Sequence, residues 1–243
     1  MRRWIVVGIL TVILLAVTIW ITSLGKIGIF EVFTWGKIAT EAKNHIRMVA
    51  VAILIATAIG VPLGILVTRS VFRRMAPLVI GGVGVGQAVP SLAVIAIMLP
   101  LLGLGLRSAV VALVIYGLLP IVRNSYAGVN NISPAVIEAA RGMGMSNMQI
   151  ARKIELPLAR PVVMTGIRIS TIIAVGTAEL AVLIGGEGLG YITFTGVFAR
   201  EPLLILQGAA PTALMAIWLG FMLELLERKV TPRGVGAEVR GYG

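Results

Sequence analysis

Ser133-Pro134-Ala135-Val136-Ile137-Glu138-Ala139-Ala140-Arg141-Gly142-Met143-Gly144, running on to Ile154-Glu155-Leu156-Pro157, is a polar, basic interruption between two apolar stretches. Ser133 is a natural N-cap, and Pro134 suits the first helical position, where its missing N–H leaves no bond unmade. Gly142 and Gly144 are placed to stop that helix and to allow a turn with positive φ. Ser146 and Gln149 have the spacing of a capping box, which starts a second helix that Pro157 is expected to limit. The segment reads as two short helices joined by a glycine elbow. Its purpose depends on what flanks it.

The flanks read as membrane. The chain is 58% hydrophobic and 13% charged with a mean hydropathy of +1.01, where soluble domains carry about 25% charged residues. Trp4–Thr22 has no charge and is close to the roughly 20 residues that cross a ~30 Å hydrocarbon core. Further spans are expected at Met48–Val67, Ala76–Leu102, Ser108–Val122, Val162–Ile184 and Leu203–Leu226, the third of them tilted or broken at Pro90. Backbone groups in lipid must pair within their own segment, so these are helices. The short alternating segments of a membrane β-barrel do not occur. The fold class is all-α and polytopic, with about six transmembrane helices. Arg2-Arg3 before an apolar run also fits a signal peptide; the length of the run and the lack of an Ala-x-Ala site favour a retained helix.

Charge sets the orientation. With Arg2 and Arg3 inside, fifteen of the 21 lysines and arginines fall on their side of the membrane, the asymmetry of the positive-inside rule. Both termini and the two-helix segment are then cytoplasmic, and the chain is expected in a bacterial or archaeal cytoplasmic membrane. The net charge of +11 is mostly topology, so no nucleic-acid partner is implied. Ser23–Arg47 is the longest outer segment, and Ile38, Ala42 and Ile46 at four-residue spacing suggest a short surface helix. The glycine-rich tail over 231–243 reads as disordered.

Catalytic chemistry is not expected. No Gly-x-x-x-x-Gly-Lys-[Ser/Thr] occurs, so this chain does not bind ATP through a P-loop. One histidine, no cysteine and no aspartate offer neither a metal site nor a nucleophile–base pair, and no cofactor is implied. His45 reads as an interfacial residue. Gly60-x-x-x-Gly64 and Gly82-x-x-x-Gly86 mark helix faces built for close approach. Gly185–Gly190 is either a gate or re-entrant turn, or a plain outer loop. Glu179 is read as the one acid well inside a span, about two turns from its outer end. It serves either to meet a cationic solute or to hydrogen-bond a neighbouring helix.

Glu138-Ala139-Ala140, then Gly144, then Ile154-Glu155-Leu156-Pro157 resembles at every position the EAA loop of permease subunits of bacterial ABC importers. Gly60–Ile65, Gln87–Ala93, Leu119–Asn124 and Gly166–Arg168 are similar to the osmoprotectant branch, which transports glycine betaine, carnitine and choline. Glu179 departs from that branch, where a small or hydroxyl residue is expected, so an amino acid or another small solute is the alternative cargo. The resemblance implies a type I (MetI-like) permease fold. Residues 1–45 would be an N-terminal helix with an outer segment, and 46–230 a permease core carrying a coupling loop at 127–160. Glu138, Ala139, Ala140, Gly144, Ile154, Leu156 and Pro157 would couple to a pair of ATP-binding subunits. Val136, Ile137 and the adaptable thioethers of Met143, Met145 and Met148 would add docking surface. Pro90, Ser91 and Glu179 would lie on the solute path. A second permease, identical or related, an extracytoplasmic solute-binding protein and membrane lipid complete the implied partners. A secondary transporter would need coupling-ion groups and repeats, and a DNA-binding regulator a supported recognition helix; neither is found.

Overall fold

The computed structural model describes residues 2–27 and 30–230. The tail expected to be disordered lies outside the described residues. Helix α1 spans Arg2–Ser23 and leads to a two-stranded antiparallel ladder, β1 (Lys26–Ile27) with β2 (Phe30–Glu31). Helix α2 covers Trp35–Leu66, α3 Ala76–Ala88, α4 Ser91–Leu102 and α5 Leu106–Asn130. Two short helices follow, α6 (Pro134–Gly142) and α7 (Asn147–Ile150), and a π turn over Ala151–Glu155 leads into α8 (Leu156–Ala178). A 3-10 turn over Glu179–Ile184, α9 (Gly190–Ala199) and α10 (Pro202–Val230) complete the chain. Among the described residues five helical segments are long and apolar enough to cross a membrane, and the bent pair α3–α4 makes a sixth, broken span. The all-α reading holds, with the tiny β1–β2 ladder as its one addition.

Helix α5 is the axis. Helices α2, α3, α4 and α8 all pack against it, and Ala112, Leu113, Ile121 and Val122 are buried there. Glycine permits the closest crossings. A Cβ at Gly60 would stand 2.8 Å from the Ile121 side chain, and one at Gly64 would stand 2.5 Å from the Val122 carbonyl. Gly166 of α8 meets α5 in the same way, 2.7 Å from the Pro120 carbonyl. Such small-residue contacts let backbones approach where no hydrophobic force drives helices together. Of the second expected pair only Gly86 packs closely, 2.7 Å from Ile115, while Gly82 meets nothing within 4 Å. Helix α10 lies on α8, α9 and α1, leaving most of α1 exposed.

Several expected boundaries move. The surface helix and the second span are one 32-residue helix, α2, capped by Thr34, whose hydroxyl accepts from Lys37 N–H at 3.4 Å. No proline or glycine interrupts the stretch from Ile38 to Ile59, so nothing separates the two. The face it buries is Ile38, Glu41, His45 and Met48, while Ile46 is 45% exposed. The fourth span runs on to Asn130 rather than ending at Val122. The fifth ends its α-helix at Ala178, so Glu179 begins a turn and does not lie two turns inside a helix. The short apolar helix α9 was not foreseen.

The third span breaks where Pro90 stands. Helices α3 and α4 meet at 94°, because a residue before proline is driven out of the α region and Val89 is extended at φ −73°, ψ 132°. The break is tied to α5. The Tyr116 hydroxyl donates to the Val89 carbonyl, and Gln87 Nε2 donates to the Tyr116 carbonyl at 2.7 Å.

Replacing Gly64 with leucine forces α2 and α5 apart and is expected to remove about 1–3 kcal/mol, as overpacking does. Thermal unfolding in detergent should show a lower midpoint for Gly64→Leu and an unchanged one for Gly81→Ala, where a Cβ meets nothing within 4 Å. Equal midpoints for the two variants would contradict the crossing described.

Candidate functional site: the elbow and the helix breaks

At the end of the bundle where α5 finishes, α6 starts with Ser133 at the N-cap and Pro134 at its first position, as expected; the Ser133 side chain makes no capping bond. The helix ends in a Schellman turn. Gly144 N–H donates to the Arg141 carbonyl at 2.9 Å and Met145 N–H to the Ala140 carbonyl at 3.2 Å. Gly144 takes φ +80°, which glycine adopts without steric penalty. Gly142 is simply the last helical residue, so the elbow depends on one glycine. The capping box forms on both sides, with Gln149 Oε1 accepting from Ser146 N–H at 2.7 Å and Ser146 Oγ from Gln149 N–H at 3.3 Å.

Pro157 does not limit the second helix. It sits in the first turn of α8, and α7, the π turn and α8 are continuous. A proline ring displaces the carbonyl four residues earlier, here Lys153. The π turn absorbs that by letting the Leu156 N–H reach back to the Ala151 carbonyl. The elbow therefore joins a short helix directly to the base of a span.

Exposure divides this segment. Glu138 and Ala139 are exposed, as are Val136 at 41%, Met143 at 72% and Met148 at 61%. Ala140 and Ile150 are buried and seat the pair against the bundle, while Ile137, Met145 and Ile154 are half-buried. Leu156 is exposed at the base of α8 and Pro157 half-buried. Glu155 turns inward and pairs with Arg69, just past the end of α2, at 2.6 Å. Sequence reading missed this clamp, because Arg69 and Glu155 are brought together only by the α2–α5–α8 packing. It also missed the cluster of Arg168 with Glu224 and Glu227 of α10, at 3.6 and 3.5 Å. The spacing of Glu224, Glu227 and Arg228 on one helix face was the available signal. Glu179 is thus not alone among acids within spans.

The second region is where the spans are interrupted. Glu179 accepts from the Thr212 hydroxyl of α10, the Thr193 hydroxyl lies beside its carboxylate, and its Oε2 is enclosed with no hydrogen bond in the geometry of the described residues. Gly190 lies directly on the Glu179 carbonyl, where a Cβ could not fit. After the 3-10 turn, Gly185 takes φ +75° and Gly188 φ +140°, and the chain folds back so that Gly190 returns to Glu179. Gly185–Gly190 is a tight reversal that packs its last residue onto the Glu179 backbone.

Two contacts, ordered by a Lys37–Glu41 pair within α2, hold this turn and the start of α9 to α2. Glu41 Oε2 accepts from Gly188 N–H at 2.9 Å, Lys37 Nζ pairs with Glu41 Oε1 at 2.6 Å, and Lys37 lies 4.8 Å over the Tyr191 ring. His45 is fully buried rather than interfacial; its Nε2 donates to the Val175 carbonyl at 3.0 Å. Helix α4, which starts at Pro90 and Ser91, packs on the turn that Glu179 opens. Just past the far end of α4, Gly105 N–H donates to the Ile184 carbonyl at 2.7 Å. Among the described residues no cluster of His, Cys, Asp or Glu could hold a metal ion.

Residues 60–233 match the family model of the binding-protein-dependent transport system inner membrane component. This chain belongs to that family. The matched stretch contains the elbow and both helix breaks. The choline transport system permease protein OpuBB of Bacillus subtilis is 41% identical over 200 residues, covering 82% of this chain and 91% of that protein. The osmoprotectant import permease protein OsmY of Salmonella typhimurium is 39% identical over 235 residues, covering 97% and 98%. In an inward-facing structure of the MetNI methionine ABC transporter, one chain superposes with a TM-score of 0.71 at 24% identity, covering 82% of this chain and 98% of that one. That likeness shows a shared permease fold.

Because Arg69 is 35% exposed, the Arg69–Glu155 pair of this family member is expected to contribute only about 1 kcal/mol. A double-mutant cycle on Arg69→Gln and Glu155→Gln, read by thermal unfolding, should return a coupling of that size. Strict additivity would show that the clamp carries no interaction energy.

Proposed function

We propose that this chain is the membrane-spanning permease of an ATP-driven importer for an osmoprotectant of the glycine betaine, carnitine and choline class. The observation that carries the coupling part is the elbow at Gly144. It presents Val136, Ala139, Met143 and Met148 outward from a short helix joined rigidly to the base of α8. An apolar, adaptable surface with nothing covering it marks a protein contact. A separate ATP-hydrolysing pair of subunits is its partner in this reading, with Glu138 meeting a cationic or N–H group there. The elbow and both termini face the cytoplasm, in accord with the placement of most basic residues on that side.

The solute class is supported by relatives named for choline and osmoprotectant import, at about 40% identity. A second permease, identical or related, faces this one around a central path. Pro90 and Ser91, at the α3–α4 break, and Glu179, at the end of α8, line that path. A solute-binding protein delivers cargo to the outer end, where the Gly185–Gly190 turn lies. The unpartnered Oε2 of Glu179 is the group offered to a cation, since a buried carboxylate oxygen without a partner is costly to keep.

ATP-dependent uptake of radiolabelled glycine betaine and choline, in vesicles holding this chain with its ATPase and binding protein, tests the reading. Uptake that quaternary amines compete for is expected; ATPase association without uptake of either solute would discard the solute class and keep the importer. Gly144→Val should hydrolyse ATP without transport, because a β-branched residue resists φ > 0. Full coupling in that variant would remove the elbow from the mechanism. Glu179→Gln should weaken uptake with assembly intact, and unchanged uptake would take Glu179 off the path.

A further inference from the structure

Between the loop after α2 and the elbow helices lies a cavity of about 330 Å³, lined in part by Arg69, Ser70, Arg73, Arg141, Asn147 and Glu155. Three guanidinium groups share it with one carboxylate. Glu155 neutralises Arg69; Arg73 and Arg141 have no acidic partner among the described residues. Ser70 and Asn147 add neutral donors at the same wall. Two unpaired cations in one cavity repel each other, and an anion between them removes that repulsion. The fork of a guanidinium matches phosphate oxygens in bidentate fashion.

The surroundings decide which phosphate. Arg73 is flanked by Val71 at 79%, Met75 at 51% and Leu78 at 79% exposure, at the point where the chain leaves α2 and enters α3. Apolar side chains around a basic residue at a span end fit a lipid whose acyl chains run beside them, and a free anion would make no use of them. We propose that this cavity is a binding site for the phosphate of an anionic phospholipid, wedged between the α2–α3 loop and α6. The bound lipid would brace the elbow against the bundle beside the Arg69–Glu155 clamp. Nothing in this requires a particular solute.

The test uses the full permease with its ATPase subunits in phosphatidylcholine nanodiscs, with spin-labelled phosphatidylglycerol and phosphatidylcholine as probes. The protein is expected to prefer the anionic probe. Each Arg→Gln change should reduce that preference roughly fivefold, as for one basic residue at a lipid surface, so Arg73→Gln with Arg141→Gln gives about 25-fold. Arg73→Lys should keep most of it, and Arg152→Gln, outside the cavity, all of it. An equal preference in wild type and the double variant would overturn the proposal. So would inorganic phosphate displacing the anionic probe, which would make the site one for free phosphate. Loss of the ATPase from a double variant that keeps its lipid preference would assign the arginines to a protein contact instead.

Discussion

In hydrocarbon a backbone N–H or C=O that loses its helical partner has no water to turn to. Much of the irregular backbone within the bundle answers that constraint. At the α3–α4 break, the Val89 carbonyl is met by the Tyr116 hydroxyl. In the Gly185–Gly190 turn, Gly188 N–H is met by Glu41, and just before it the Ile184 carbonyl accepts from Gly105 N–H at 2.7 Å. Next to it, the Val175 carbonyl is met by His45. Near β2, Gln207 of α10 holds both the N–H and the carbonyl of Phe33, at 3.0 and 2.8 Å. Several of the polar side chains inside the bundle thus serve the places where helices stop.

That arrangement joins stability to function. Non-helical backbone at membrane depth survives only where protein surrounds it or it lines a cavity. The breaks at Pro90 and at Glu179 are linked through α4, which packs on the turn that Glu179 opens. Beside them α5 supplies a rigid axis, with α2 and α8 drawn close at Gly60, Gly64 and Gly166. For the path we propose, a stiff frame would let the breaks move without unpacking the bundle.

The elbow follows a different rule, since it lies at the end of the bundle. Its backbone is satisfied locally, by the Schellman turn at Gly144 and the capping box at Ser146. Its apolar residues split into a buried set that seats it and an exposed set with nothing over it. The π turn before Pro157 makes α7 the continuation of α8. In the coupling we propose, the elbow acts on the base of a span whose far end is Glu179.

The membrane class, the helical spans, the break at Pro90, the Gly144 turn and the Ser146 box were all legible in the residues. Each rests on short-range physics: hydrophobic length, the missing N–H of proline, the freedom of glycine and a three-residue capping spacing. The sequence also carried the family resemblance that the comparisons confirm. Only the tertiary structure placed His45 and Glu41 in the core, paired Arg69 with Glu155, folded Gly185–Gly190 back onto Glu179, and showed Gly82 open while Gly60 and Gly64 are packed. These depend on which helix lies beside which, across separations as long as the 147 residues between Glu41 and Gly188. Local pattern sets where a polar group can go unpaired; packing decides which distant residue meets it.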